Sequence, residues 1–425
     1  MRSYSRWRLR GFGGPASLAR RALARAAAWS YRRSGDAASR RDVRLDLLRG
    51  FCVLVMVADH IGGEHSWLYV VTGGNRFFTS AAEGFVLISG VAMGTVYENV
   101  IRREGMTAML RKVLRRAAFL YALTVSLTIV FALLSYLIDT SWSRTMTPTT
   151  PLEFVLSVGT LHRSYPITDV LMLYTLLVFV APPLLYLLGT GRTGIVLAGA
   201  WGVWLLWQIS PQDVQFPWNV VDGGFPFAAW QLPFAMGVVI GFHRKRITPL
   251  LSPRMRAAIF ALGTVTAIAL IVAFDRTLAD RASAQPSALA WLLSSDLVFG
   301  KNDLRPGRLL ALVGVAIFAY GLTSVAWVPV KRAVGWLFLP LGQRALGAYG
   351  IHLFLLALSN SWLGDLLRSG QDNTILQVVT ILVIWALLPV LPWLGEIEHL
   401  ASRVAPLTHP LAHRPGQRAP AAGAG

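Results

Sequence analysis

The first long apolar stretch of the chain carries ionisable residues at both of its ends. Asp46 and Arg49 lie near its start, and Asp59 and His60 lie near its end. Imidazole is the side chain best suited to move a proton near neutral pH, and a carboxylate can orient it. Asp46 and His60 are fourteen residues apart, so a helix would place them near one face and about 21 Å from each other. The pattern indicates a polar stripe that ends in a candidate base.

The same residues also have simpler interpretations. Asp46 and Arg49 could form an ion pair between positions i and i+3 at a helix end, and Asp59 and His60 could be ordinary interfacial residues. Adjacent residues diverge by roughly 100° on a helix, so Asp59 need not touch His60. Glu83 stands near the start of the next apolar stretch, and it could orient the imidazole if the two helices are antiparallel.

Other polar residues interrupt or flank the later apolar stretches. An ionisable group in lipid is costly, so each is a candidate site residue. The candidates are Asp169 and Tyr174, Trp230 and Gln231, His352, the basic pair Arg115 and Arg116, and the basic cluster Lys301, Arg305 and Arg308. His352 could instead be a hydrogen bonder between helices, and the basic pair could simply mark membrane topology. The basic cluster lies on the predicted outward side, where it could meet an anionic acceptor or an acyl carboxylate. No metal-ligand cluster is visible, so no metal is predicted.

The composition indicates an integral membrane protein. Of 425 residues, 54% are hydrophobic and 14% are charged, against roughly 25% charged in soluble domains. The apolar stretches are about 18 to 25 residues long, as membrane-spanning helices are. The predicted fold class is therefore all-α, a polytopic helical bundle with ten transmembrane helices. The predicted spans are Leu45–Gly62, Ala81–Ile101, Val113–Ile138, Thr168–Leu188, Gly194–Ile209, Pro226–Phe242, Arg256–Phe274, Leu309–Val328, Leu341–Asn360 and Ile375–Leu394.

The basic residues are distributed unequally between the two sides of this predicted bundle. The chain has 40 Lys and Arg against 21 Asp and Glu, a net charge of +19. With the N-terminus inside, about 30 basic residues lie on the inward side and about nine on the outward side. This distribution predicts cytoplasmic N- and C-termini and explains the charge without nucleic acid. Residues 1–41 and 396–425 are predicted to be cytoplasmic tails without fixed structure, and residues 42–395 to form the membrane domain.

Small residues in the first two spans indicate close packing. Gly90 and Gly94 form a G-x-x-x-G face that a neighbouring helix can approach closely. Gly50 lies on or beside the polar stripe of the first span. Cys52 is the single cysteine, and we interpret it as a small core residue.

Several blocks of the sequence resemble the OpgC family. They are Arg41–Gly50 followed by Asp59 and His60, then Glu83–Gly90, Tyr165–Tyr174, Ala229–Leu232, Lys301–Leu310 and Leu341–Leu346. The order and spacing of these blocks carry the resemblance, which covers roughly Arg41 to Gly395. The family consists of bacterial inner-membrane proteins that succinylate osmoregulated periplasmic glucans, and it looks related to wider membrane acyltransferases.

The resemblance implies an O-acyltransferase of the bacterial cytoplasmic (inner) membrane. Its donor would be cytoplasmic acyl-CoA, expected to be succinyl-CoA, and its acceptor would be a hydroxyl of an extracytoplasmic glycan. His60 would be the base, with Glu83 or Asp59 as its partner. The residues that line the CoA entrance would be Asp46, Arg49, Arg115 and Arg116. The residues that contact substrate would be Asp169, Tyr174, Trp230, Gln231, Lys301, Arg305, Arg308 and His352. No permanently bound cofactor is expected.

Some alternatives stay open at this point. The segment Gly62–Ser66 has no counterpart in the family, so His65 competes with His60 and His352 for the role of base. A transporter or flippase for an anionic glycan or lipid would also need buried charges and a polar path, although the lack of a visible internal repeat disfavours it. A membrane scaffold is a third class. The sequence does not define the oligomeric state.

Overall fold

The computed structural model describes residues 29–38, 41–61, 66–72, 76–137, 149–215, 224–281, 287–362 and 373–390. Within these ranges every regular element is a helix. Two short 3-10 turns, Tyr31–Arg33 and Gly35–Ala38, precede the α-helices. The helices are α1 (Val43–His60), α2 (Trp67–Thr72), α3 (Ala81–Glu104), α4 (Met106–Leu137), α5 (Pro151–Gly159), α6 (Asp169–Gly189), α7 (Thr193–Ile209), α8 (Phe227–Leu250), α9 (Pro253–Arg281), α10 (Ala288–Ser294), α11 (Asp296–Phe299), α12 (Pro306–Val325), α13 (Trp327–Gln343), α14 (Ala345–Trp362) and α15 (Thr374–Val390).

Five of the described helices are long and apolar enough to cross a membrane, namely α3, α4, α6, α9 and α12. A sixth span results if α13 and α14 are counted together, and α7 and α15 are apolar but shorter. These findings confirm an all-helical, multi-pass membrane protein, whereas the ten spans and the cytoplasmic termini stay predictions. Helix α1 is not among the five candidates, and it contains Arg44, Asp46, Arg49 and Asp59. We call its Asp46 end the inner end of the bundle and its His60 end the outer end.

The predicted ninth span, Leu341–Asn360, is not one straight helix. Helix α13 ends at Gln343, and α14 leaves it at an angle of 88°. Pro340 lies in the last turn of α13, where its missing N–H weakens that turn and leaves the Trp336 carbonyl to accept from Trp385 instead. The predicted span is therefore divided between two helices. It begins in the last turn of α13, and most of its residues belong to α14.

Two glycine pairs hold α3 and α8 in backbone contact. A Cβ atom added at Gly90 or Gly94 would overlap the backbone of α8, and one added at Gly237 or Gly241 would overlap the backbone of α3. The close approach predicted at Gly90 and Gly94 is confirmed. Its partner is a second G-x-x-x-G pattern, which is visible in the sequence but was not predicted to pack there.

A second close crossing joins α1 to the end of α13. A Cβ atom added at Gly50 would overlap the carbonyl of Phe338, and one added at Gly342 would overlap the carbonyl of Asp46. Gly50 therefore lies in a helix contact, and the neighbouring Asp46 and Arg49 line the cavity described below.

Paired hydroxyl groups join α4 to α6 and to the residues that precede α6. Thr124 and Thr175 are 2.8 Å apart at their hydroxyl oxygens, and Thr128 and Thr168 are 3.1 Å apart. All four of these threonines are buried, so the hydrogen bonds satisfy groups that lipid could not. They fix the helix that presents Asp169.

The crossing of α3 and α8 makes Gly94→Ala a destabilising substitution. The added methyl group overlaps backbone atoms, and overpacking of this kind costs roughly 1–3 kcal/mol. Gly199→Ala in α7 is the matched control, because nothing lies within 4 Å of its added Cβ. We expect thermal unfolding in detergent to show a lower midpoint for Gly94→Ala and an unchanged or slightly higher one for Gly199→Ala. Equal midpoints for the two variants would contradict the described crossing.

Candidate active site

An internal cavity of about 590 Å³ lies between α1, α3, α6 and the junction of α13 and α14. Charged side chains line the part nearest the inner end, namely Arg41, Asp42, Asp46, Arg49, Arg116, Arg244 and Arg344. Apolar and aromatic side chains line the deeper part, namely Met56, Phe85, Val170, Leu171 and Tyr349. The cavity therefore joins a cationic mouth to an apolar interior.

Arg41, Arg49 and Arg116 supply guanidinium groups to the cavity. Asp46 forms its ion pair with Arg41 at 2.6 Å, so the alternative interpretation of an Asp46–Arg49 helix-end pair is wrong. Arg49 lies in the wall, and its buried Nε atom has no hydrogen-bond partner among the described residues. Arg116 donates to the Tyr174 hydroxyl at 3.0 Å. Of the four residues predicted at the CoA entrance, Asp46, Arg49 and Arg116 line the cavity, whereas Arg115 is not among the lining residues.

Asp42 joins three helices at the inner end. It caps the N-terminus of α1 and accepts hydrogen bonds from Arg44, from Arg244 of α8 and from the Tyr320 hydroxyl of α12. Burial alone would raise the pKa of the Asp42 carboxyl, but Arg44 and Arg244 hold it below its ordinary value. The sequence analysis did not predict this cluster, because its contacts join residues 202 and 278 positions apart in the chain.

A pair of histidines lies at the outer end. His60 Nδ1 is 3.2 Å from His352 Nε2, and the two rings stack with their centroids 5.0 Å apart. The Tyr349 ring, which lines the deep part of the cavity, is centred 5.9 Å from the His352 ring. The cavity therefore reaches Tyr349, and the ring of Tyr349 lies beside the histidine pair. His65, the competing candidate, lies outside the described residues.

Glu83 is fully buried and does not contact His60 in the described part of the chain. Its carboxylate accepts hydrogen bonds from the Thr79 hydroxyl at 2.5 Å, from the Ser80 backbone N–H and from the Arg308 guanidinium. Glu83 caps α3 and clamps it to α12, while the described partner of His60 is His352. Sequence reasoning missed the histidine pairing, because a contact across 292 residues has no local signal.

Lys301 interacts electrostatically with groups at the outer end, whereas its two basic neighbours make direct contacts with other side chains. Its ammonium acts electrostatically on Asp59, His60 and Asp169. Arg305 donates to Gln208 at 3.1 Å, and Arg308 pairs with Glu83. We use the term outer recess for the region at the outer end that contains Asp59, His60, Asp169, Lys301 and His352.

Two of the predicted substrate-binding residues lie outside the outer recess, and their side chains donate hydrogen bonds to backbone carbonyl groups. Trp230 is fully buried, and its indole N–H donates to the Asn302 carbonyl at 2.9 Å. Gln231 donates to the Ala200 carbonyl at 2.8 Å. Their direct contact with a substrate stays a prediction, but the structure gives both a positioning role.

Asp42 makes the stability of the inner end dependent on pH. Asp42→Asn removes a buried charge between two guanidinium groups, which costs ~3 kcal/mol near pH 7. The folded pKa of Asp42 lies below its unfolded value of about 3.9. This contribution is therefore present above about pH 5 and is lost as the pH falls through the folded pKa. Thermal unfolding in detergent should show a gap between native and variant midpoints at pH 7 that narrows as the pH falls below about 4.

The control for this prediction is Glu104→Gln, which removes an exposed ion pair with Lys112. We expect only a small change in its midpoint at any pH. A gap between native protein and Asp42→Asn that stays constant from pH 7 to pH 3 would contradict the assigned role of Asp42.

Comparison with known proteins identifies one family. A family model described as OpgC protein matches residues 41–396. No curated protein and no solved structure matches the chain. The matched range begins just before α1 and includes both the cavity and the outer recess.

Proposed function

The chain belongs to the OpgC family, and from that premise we propose that it is a membrane-embedded O-acyltransferase. It moves an acyl group, succinyl in our proposal, from cytoplasmic acyl-CoA to a hydroxyl of an extracytoplasmic glycan. The observation that carries the proposal is the continuity of the site. A cavity with guanidinium groups at its inner end leads to Tyr349, beside the His60–His352 pair.

The donor enters from the inner end. Guanidinium groups are good ligands for phosphate, and Arg49 and Arg116 offer them in a partly enclosed space. The apolar interior beyond them, with Met56 and Phe85 in its wall, suits an uncharged thioester arm. This placement delivers the thioester carbonyl toward Tyr349 and the histidine pair.

His60 acts as the general base. When its Nδ1–H donates to His352 Nε2, its own Nε2 keeps a lone pair that can accept the proton of a sugar hydroxyl. The hydroxyl oxygen attacks the thioester carbonyl carbon, so a C–O bond forms and the C–S bond breaks. His60 then returns the proton to the departing thiolate of CoA. His352 orients His60, because the lone pair on His352 Nε2 faces the Nδ1–H of His60. The same contact stabilises the imidazolium of His60 after it has accepted the proton.

The proposed topology places the inner end in the cytoplasm. Basic residues gather there on several helices, including Lys112, Arg244 and Lys245, and cytoplasmic loops carry such an excess. The chain would then cross a bacterial inner membrane ten times, with the outer recess open to the opposite side.

Acyl transfer is tested by expression in a bacterium that lacks a related enzyme, followed by mass analysis of its extracytoplasmic glycans. The native protein should add an acyl mass increment, and His60→Ala should abolish it, since loss of a general base costs about 10²- to 10⁴-fold in rate. His162→Ala is the matched control, because that half-buried histidine contacts Thr160 and is not among the residues that line the cavity. An increment retained by His60→Ala would move the base to another histidine. No increment in any glycan or lipid fraction would favour a transporter.

The role of His352 is tested by comparing His352→Gln with His352→Ala. Glutamine can place its side-chain oxygen near the position of Nε2 and accept from His60 Nδ1, whereas alanine leaves His60 without that partner. We expect kcat to fall by about 10²-fold in the alanine variant and by clearly less in the glutamine variant. Because His352 is buried, the alanine variant should also unfold at a lower midpoint, so kcat is compared at a temperature at which both variants are folded. Equal losses of kcat would show that His352 serves only to fill the core.

A further inference from the structure

One buried amide holds the chain on both sides of His60. Gln377 of α15 is fully buried, and its Nε2 atom donates to the Ala58 carbonyl at 2.8 Å. Its Oε1 atom accepts from the Ser66 hydroxyl. Ala58 lies two residues before His60, and Ser66 lies six residues after it. A single side chain therefore joins both ends of the segment that carries the proposed base.

The two partners of Gln377 define the orientation of its amide. A backbone carbonyl can only accept, so the NH2 group faces Ala58 and the oxygen faces Ser66. The Ser66 oxygen itself accepts from the Tyr69 backbone N–H at 3.2 Å, which leaves its hydroxyl proton for Gln377. Both bonds stabilise the packing of α15, because an unpaired amide that is buried away from water is costly.

The Ala58 carbonyl belongs to the last turn of α1. The last carbonyl groups of a helix have no partner within it, so contacts from outside help to determine where the last turn lies. The Val57 carbonyl accepts from the Ile61 backbone N–H, and the Ala58 carbonyl accepts from Gln377. The end of α1 is therefore fixed against α15.

A second contact from the start of α15 holds the segment that follows α1. The Thr374 hydroxyl accepts from the Trp67 backbone N–H at 2.8 Å, and Thr374 lies three residues before Gln377. Trp67 begins α2, so α15 contacts the chain both before and after the outer end of α1. Hydrogen bonds on both sides restrict the last turn of α1 to one arrangement relative to α15.

The contact between His60 and His352 depends on that arrangement. The two ring nitrogens are 3.2 Å apart, which is at the long end of the range for hydrogen bonds. The rings belong to different helices, α1 and α14, so movement of either helix separates them. Catalytic groups must be held within about 0.5 Å of their productive arrangement. A contact that fixes the last turn of α1 meets that requirement for His60.

We propose that Gln377 is a positioning residue for the base. By holding the Ala58 carbonyl, it fixes the depth and rotation at which His60 Nδ1 meets His352 Nε2. The inference rests on the proposed acyl transfer at His60. Gln377 is not among the described residues that line the cavity, so its role lies in the transfer step and not in binding of the donor.

The first test compares the steady-state kinetics of three purified full-length variants. Gln377→Met, of similar size, should lower kcat by about 10- to 100-fold, as small misplacements of a catalytic group do, and leave KM for acyl-CoA unchanged. Ser66→Ala keeps the bond to Ala58 and should lose less. Thr380→Val is the matched control and should keep the native kcat, because this buried hydroxyl donates to the Leu376 carbonyl of its own helix.

Two results of this comparison would overturn the proposal. One is a loss of kcat in Gln377→Met that is no larger than the loss in Thr380→Val or in Ser66→Ala. The other is a change in Gln377→Met that appears only in KM for the donor.

A double-mutant cycle distinguishes positioning from general support of the fold. If Gln377 acts through the histidine pair, Gln377→Met should cost little further kcat in a protein that already carries His352→Ala, because the pair no longer exists there. Losses of kcat that multiply in the double variant would show a separate structural role and overturn the proposal.

Amide hydrogen exchange tests the same contact without acyl transfer. Gln377→Met should increase exchange at residues 57–61, whereas Thr380→Val should leave it unchanged. Unchanged exchange in Gln377→Met would overturn the positioning role. Increased exchange in a protein whose native form transfers no acyl group to any acceptor would support the contact and overturn acyl transfer alone.

Discussion

A charged group can remain inside a bilayer only where protein or water replaces the lipid around it. This constraint governs the structure, because α1 carries ionisable residues from one end to the other. Two close helix crossings help to enclose these ionisable residues in protein. Gly50 and Gly342 bring α1 and α13 into backbone contact, while Gly94 and Gly241 do the same for α3 and α8. The polar face of α1 is thereby enclosed by other helices, and the space that remains inside is the cavity.

The enclosed groups fall into two clusters with different chemistry. At the inner end, guanidinium groups outnumber carboxylates, which favours an anionic ligand. At the outer end, His60 and His352 form a hydrogen-bonded pair. Tyr349 lies between the clusters, since it lines the cavity and packs beside His352. The Glu83–Arg308 ion pair clamps the surrounding helices. Positioning of the two clusters within one rigid bundle is what would allow a donor on one side to react with an acceptor on the other.

Some of this arrangement could be predicted from local sequence and some could not. Apolar length predicted the helices, and the spacing of Gly90 and Gly94 predicted a close approach. The resemblance to the OpgC family implied that Asp46 and Arg49 would line one entrance, and both residues line the cavity. The contact between His60 and His352 could not be predicted, because it depends on the rotation and depth of two helices far apart in the chain. The true partner of Glu83 and the bend between α13 and α14 depend on the same long-range packing.

The central claim is that one active site receives its donor and its acceptor from opposite sides of the membrane. It is tested most directly in sealed vesicles that contain the protein in one known orientation. Isotopically labelled acyl-CoA is supplied on one side only, and the glucan acceptor on the other. We predict labelled acyl-glucan when the donor is on the side of the inner end and the acceptor on the side of the outer recess, and none when the two are exchanged. Labelled product that forms only when donor and acceptor share a side would contradict the account.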